Sequence, residues 1–123
     1  MPDQLERDVA AQTRDLLERR RDARRGKFRF WRVPLGPVKT RNQFAAKNPM
    51  AGFPDWMMTD QRWGGRMAFV ELKRPGAPKR ENEAKQNEII AFLELCGVPV
   101  LRTDNVQAVV NFLASLDGEY QCY

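Results

Sequence analysis

Apolar positions along the chain change their period several times, and each change marks an element. Over residues 3–25, Leu5, Val9, Gln12 and Leu16 share a stripe at helical spacing, widened by Ala10, Thr13 and Leu17, which predicts a first helix. Asp3 and Glu6 resemble a capping box, and Gly26 supplies the stop. Residues 27–33 switch to alternation through Phe28 and Phe30 and predict a strand. Pro34, Gly36 and Pro37 break it, and 34–52 reads as a long polar connection without periodicity of its own. Residues 53–59 and 67–73 predict a hairpin whose turn, 60–66, holds Gly64 and Gly65. The run from Met67 to Lys73 (Met-Ala-Phe-Val-Glu-Leu-Lys) is the strongest candidate for a central strand. Pro75, Gly76 and Pro78 make 74–80 a loop. A helix over 82–96 follows, with Ile89, Ile90, Leu93 and Cys96 at helical spacing and Gly97 as its cap. Residues 98–102 predict a short strand. A last helix over 104–116 buries Val106, Val109, Val110, Leu113 and Leu116, opens on an Asp104–Gln107 box and is closed by Gly118.

The order is α-β-β-β-α-β-α. It predicts an α/β fold, a small mixed β-sheet flanked by helices on both faces. The helix over 82–96 is a crossover, so the strands on either side of it run parallel. The 123 residues suit one domain spanning 1–123. No run approaches ~18 consecutive apolar residues, and the N-terminus lacks the apolar core of a secretory signal. The expectation is a cytoplasmic protein without a membrane partner. Two cysteines are too few for a disulfide framework, and Cys96 reads as a buried thiol in a reducing compartment.

Charge divides the chain. Residues 1–50 hold 13 Lys/Arg against 6 Asp/Glu, whereas 51–123 hold 8 against 10. Between Arg19 and Lys47 there are 11 basic residues and one acid, Asp22, interleaved with Phe28, Phe30, Trp31 and Phe44. Such a stretch suits a polyanion, because neutralising phosphates releases counterions. Arg19, Arg20, Arg21, Arg24, Arg25, Lys27, Arg29, Arg32, Lys39 and Arg41 are the candidate DNA-binding residues. A solvated helix end followed by a polar loop is the plainer account of the same charges.

Histidine is absent. That excludes histidine-based nucleophile pairs and general bases, and the usual His/Cys zinc sites. Catalysis must rest on carboxylates, lysine, amides, tyrosine or an oxygen-bound metal. Glu71 and Lys73 sit two apart in the most apolar strand and therefore point to one face. Burying them is costly unless they are paired or metal-bound. The hairpin can bring Asp55 to Glu71, and two crowded carboxylates suit a hard divalent cation. A Glu–Lys ion pair, with Asp55 a turn residue after Pro54, explains the same letters. Gln86 shares the stripe of Ile89, Ile90 and Leu93 and so faces the sheet, either as an orienter beside Lys73 or as a merely satisfied amide. Glu6 lies at the edge of the first helix's buried face, and the capping box accounts for it equally well.

Gly52-Phe53-Pro54-Asp55, then Val70-Glu71-Leu72-Lys73, then Gln86, then Gly97-Val98-Pro99-Val100 resemble the PD-(D/E)xK nuclease superfamily, and within it the VRR-NUC (virus-type replication-repair nuclease) family. The resemblance covers roughly residues 3–116. It implies a restriction-endonuclease-like α/β domain that hydrolyses DNA phosphodiester bonds with Mg²⁺ or Mn²⁺. On it, Asp55 and Glu71 are metal carboxylates, the backbone carbonyl of Leu72 a further ligand, and Glu6 a positional match to the family's first-helix glutamate. Lys73 positions the attacking water, and Gln86 matches the family's helix glutamine. Small viral members of the family resemble Holliday junction resolvases and act as homodimers, so branched DNA is the implied substrate. A monomeric nicking or flap-type nuclease, a non-catalytic DNA-binding module on a nuclease fold, and an RNA- or partner-binding domain with Trp31 and Phe44 as stacking residues remain as alternatives.

Overall fold

Alternation and helical periodicity resolve into α1 (Pro2–Ala23), β1 (Phe28–Arg32), β2 (Val38–Lys39), β3 (Ala45–Ala46), β4 (Trp56–Asp60), a 3-10 turn (Gln61–Trp63), β5 (Met67–Leu72), α2 (Glu83–Leu95), β6 (Val100–Thr103) and α3 (Val106–Glu119). The computed structural model describes residues 2–34, 38–39, 45–46, 52–73 and 83–120, with side chains for 8–34, 52–73 and 83–120. The main sheet has the order β1-β4-β5-β6. β1, β4 and β5 pair antiparallel, and β5 and β6 pair parallel across the α2 crossover. The mixed sheet and its element order are those the sequence predicts. β2 and β3 form a separate antiparallel ladder inside the stretch predicted to lack structure. Two residue pairs are too few to print a period on the sequence. The predicted loop over 74–80 lies outside the described residues.

Alternation along the strands gives the sheet two unlike faces. Phe28, Trp56, Met58, Ala68, Val70 and Leu72 point to one, where they meet Leu17 of α1, Trp63 of the 3-10 turn, and Val109, Leu113 and Leu116 of α3. The other face carries Glu71 and, over β5 and β6, receives α2. Gly52 is shaped by that contact: its φ is 95°, and a Cβ there would come within 2.9 Å of Ile89. α2 itself buries only Ile90 deeply and leaves Phe92 65 % and Leu95 87 % exposed. Among the described residues, no helix is long and apolar enough to cross a membrane.

Several boundaries and faces differ from expectation for local reasons. The buried line of α1 runs through Thr13 and Leu17, both fully buried, while Gln12 is exposed. α1 ends at Ala23, with Arg25 in the left-handed region (φ 55°) and the Gly26 N–H donating back to the Arg21 carbonyl at 2.9 Å. α3 is capped by Asn105, whose side chain accepts from the Ala108 N–H at 2.8 Å, and not by an Asp104–Gln107 box. Cys96 is exposed, not buried, because the chain leaves α2 at that point and turns at Gly97. β4 starts at Trp56 and not at Phe53, and it runs on to Asp60, which the pattern assigned to the turn.

Asp60 is the point where the layers join. Its carboxylate is fully buried and accepts from Arg24 at 2.7 and 3.0 Å, from Arg20 at 3.0 Å and from the Arg62 N–H at 2.9 Å. Arg20 also donates to both oxygens of Asp117 on α3, at 2.8 and 2.7 Å, and Trp63 Nε1 donates to Asp117 at 2.9 Å. Burial works against the Asp60 charge, yet the Arg24 hydrogen bond and its neighbours hold the carboxyl below its usual range. Asp60→Ala leaves two arginines facing an empty buried position and should cost about 3–5 kcal/mol. Urea unfolding at neutral pH measures it, and a loss under 1 kcal/mol contradicts the role.

Candidate active site

The hairpin ends where β4 begins and β5 stops, and there the two strands exchange side-chain hydrogen bonds in place of ladder bonds. The Asp55 N–H donates to Glu71 Oε2 at 3.1 Å, and the Leu72 N–H donates to Asp55 Oδ2 at 3.0 Å. Pro54 removes one ladder bond at this end. Two places beyond the Trp56–Val70 pair, Leu72 would stand opposite Pro54, which has no N–H to give the Leu72 carbonyl. Lys73 stays in the sheet through its own N–H, which donates to the Thr103 carbonyl at 2.7 Å. Its ammonium donates to Gln86 Oε1 at 2.8 Å. Gln86 also favours the charged form of Glu71, so one amide acts on both the acid and the amine of β5. Asp55, Glu71, Lys73 and Gln86, read separately from the sequence, thus form one cluster between the sheet and the start of α2.

Glu71 is 3 % exposed. Burial first and the neighbouring Asp55 charge second push its carboxyl up to about 7, against the Gln86 hydrogen bond, the Lys73 charge and the Asp55 N–H. Lys73 therefore does not neutralise it fully. The donor set suits a hard cation: two carboxylates, and in the Leu72 carbonyl an oxygen whose strand neighbour is a proline. Among the described residues, no three Asp, Glu, Cys or His side chains gather as a ready-made cage. Mg²⁺ does not require one, since it keeps several waters and takes one or two carboxylates. Glu6 lies in α1 with its side chain outside the described residues.

Among the described residues, the candidate DNA-binding residues do not all lie on one surface. Arg20 and Arg24 are held by Asp60 and Asp117, a structural role that the charge count alone did not separate from the rest. Their sequence signal was position: they continue the Thr13–Leu17 line at helical spacing. Arg19 pairs with Asp15 at 2.9 Å, and Arg21 with Asp22 at 3.3 Å while lying over Phe30. Arg32 lies over the Trp56 ring, 5.2 Å from its centroid, on the α1 side. Arg25 is exposed at the helix end, and Lys27 and Arg29 are exposed beside an open groove. The side chain of Lys39 and the whole of Arg41 and Phe44 lie outside the described residues.

No protein-family model, curated protein or solved structure matches the chain.

The raised Glu71 carboxyl has a signature in solution. Folded, Glu71 keeps its proton to about pH 7; unfolded, it releases it near 4.5. Between those values the folded state binds the extra proton, so stability falls as pH rises, by on the order of 3 kcal/mol over the window. Asp60 and Asp117 act in the opposite sense, since their lowered carboxyls stabilise the fold above pH 3.8 and that contribution fades below it. Urea unfolding in chelator should show the decline between pH 4.5 and 7, and Glu71→Gln should flatten it. A decline that persists unchanged in Glu71→Gln rejects the assignment.

Proposed function

We propose that this chain is a divalent-metal-dependent deoxyribonuclease that hydrolyses phosphodiester bonds. The observation that carries the reading is the cluster at the end of β5, where a buried, partly neutralised Glu71 sits between Asp55 and the Gln86–Lys73 bridge. Asp55, Glu71 and the Leu72 carbonyl would hold Mg²⁺ or Mn²⁺, with Glu6 a further ligand on the family resemblance. Bound there, the cation supplies charge neutralisation and Lewis acidity toward the scissile phosphate.

The chain's own groups do the rest. Lys73 projects from the strand end and presents a positive charge and N–H donors to a phosphate oxygen or a water. Gln86 fixes the ammonium through its Oε1, so Lys73 meets substrate in a set orientation. The exchange of hydrogen bonds between Asp55 and the Glu71–Leu72 segment holds the two carboxylates in register before any ligand arrives. Lys27, Arg29 and Arg25 give exposed positive charge for the flanking backbone, and such contacts position a strand without reading its sequence. Selection of branched DNA and action as a homodimer belong to the same proposal and rest on the sequence resemblance.

Labelled linear, flapped and four-way DNA incubated with Mg²⁺, Mn²⁺ or chelator tests it. Cleavage should need the cation, and Lys73→Ala should slow it at least ~100-fold while leaving DNA affinity within twofold. Asp55→Ala should abolish both cleavage and the upward shift in melting temperature that Mg²⁺ gives the wild type. Wild-type cutting by Lys73→Ala, or cutting in chelator, overturns the reading. Preference for four-way DNA by a sedimenting dimer supports the resolvase-like form, and preference for flaps by a monomer rejects it.

A further inference from the structure

β1 is an edge strand, and its outward face is open. Alternation sends Phe28, Phe30 and Arg32 toward α1 and sends Arg29 and Trp31 to the opposite side. Trp31 is 45 % exposed, whereas the other two tryptophans, Trp56 and Trp63, are 1 % exposed. No aromatic ring or guanidinium among the described residues stacks on the Trp31 indole. An open groove of about 440 Å³ runs beside it, lined by Lys27, Arg29, Thr59 and Gln61. The one acid at the groove, Asp60, has its carboxylate fully buried and bound to Arg20 and Arg24. Arg29 is steadied by its Nε–H, which donates to the Gly26 carbonyl at 3.2 Å. Among the described residues, the groove therefore offers one flat, wet aromatic next to two cations and no exposed negative charge.

Register ties this groove to the cluster at the end of β5. Trp31 pairs with Met57, and Met57 with Phe69, so all three share the face on which Glu71 lies two residues farther along. Two strand spacings and two residue rises separate Trp31 from Glu71, about 12 Å between Cα atoms. A few nucleotides of extended single strand cover that distance.

We infer that the Trp31 groove is a stacking site for an unpaired nucleobase of single-stranded DNA, with Lys27 and Arg29 holding the adjoining phosphates. It rests on the nuclease reading for its link to cleavage but not for its binding. The geometry favours a single strand, because an indole standing on an open strand face can stack only on a base that is not already stacked and paired. Charge favours nucleic acid over an apolar peptide, since two cations stand beside the one ring among the groove's described residues.

The test uses the intact chain in chelator, so that no cutting occurs, and reads intrinsic tryptophan emission. Short oligothymidylate should quench it, because the one exposed indole takes the base. Trp31→Phe should lose the quench and keep part of the affinity. Trp31→Ala should bind oligothymidylate about 10- to 100-fold more weakly and blunt duplex as the wild type does. Melting curves of both variants confirm folding. Wild-type affinity of Trp31→Ala for oligothymidylate, or a quench surviving in Trp31→Phe, overturns the inference. Tighter binding of oligouridylate overturns its assignment to DNA. A chain that stacks oligothymidylate on Trp31 yet never cuts DNA loses the nuclease reading and keeps this one; a chain that cuts while Trp31→Ala binds normally does the reverse.

Discussion

Asp60 stays ionised with its carboxylate buried because two arginines reach it, Arg20 from the last turn of α1 and Arg24 from just past its end, and Arg20 spans to Asp117 on α3. The apolar core of a chain this size is small, so the ends of its elements must be fixed by something directional. The Asp60–Arg20–Asp117–Trp63 chain of hydrogen bonds ties α1, the end of β4, the 3-10 turn and α3 at one place. Every carboxylate oxygen in it has a donor, and among the described residues only Arg20 Nε in the network is buried without a partner; that near-complete satisfaction lets buried charge hold the structure together. With that end of the sheet fixed, the opposite end of β4 can be irregular.

The two ends of β4 treat buried acid in opposite ways. At Asp60, arginine hydrogen bonds overcome the cost of burial and the carboxyl is held low. At Glu71, across from Asp55, burial and like charge win over one amide and one ammonium, and the carboxyl is held high. Structural demand alone does not explain the second arrangement, since an arginine in place of Lys73 or an apolar residue in place of Glu71 would relieve it. A group kept near neutrality and prepared to ionise is what a cation or a proton transfer can use, and such perturbed acids concentrate at functional sites.

The candidate cluster was legible because its parts obey short-range rules. Glu71 and Lys73 share a face by alternation, and Gln86 lies on the sheet side of α2 by helical spacing. Asp55 follows from hairpin pairing. What could not be read locally is which charge meets which. Arg20 and Arg24 look like members of a basic run, and only their place on the Thr13–Leu17 line tells them apart from Arg19 and Arg25. Asp60 looked like a turn residue because its partners lie 36 and 40 positions away in sequence. Cys96 fits the apolar stripe of α2, but the stripe outlasts the contact and the thiol is exposed. The Asn105 cap displaced Asp104 by a single residue, at an extended backbone position where either side chain can cap a helix.

Removing Arg20 and Arg24 from the basic stretch changes what the remainder means. Among the described residues of that stretch, the cations left in solvent do not share one side of the molecule, as a protein that coats nucleic acid would need. Arg32 lies on the α1 side over Trp56, Arg19 and Arg21 face solvent along α1, and Lys27 and Arg29 stand on the sheet face shared with Glu71. Among the described residues of the basic stretch, that last pair alone offers a strand few positive charges on this face. An additional sequence-blind contact is therefore wanted on the same face, and stacking on an exposed ring is the one that adds affinity without adding charge. Trp31 occupies that position because β1 is an edge strand with α1 beneath it and, among the described residues, no helix above: the same topology that leaves its ring wet also puts it on the face of Glu71, two residues from its register.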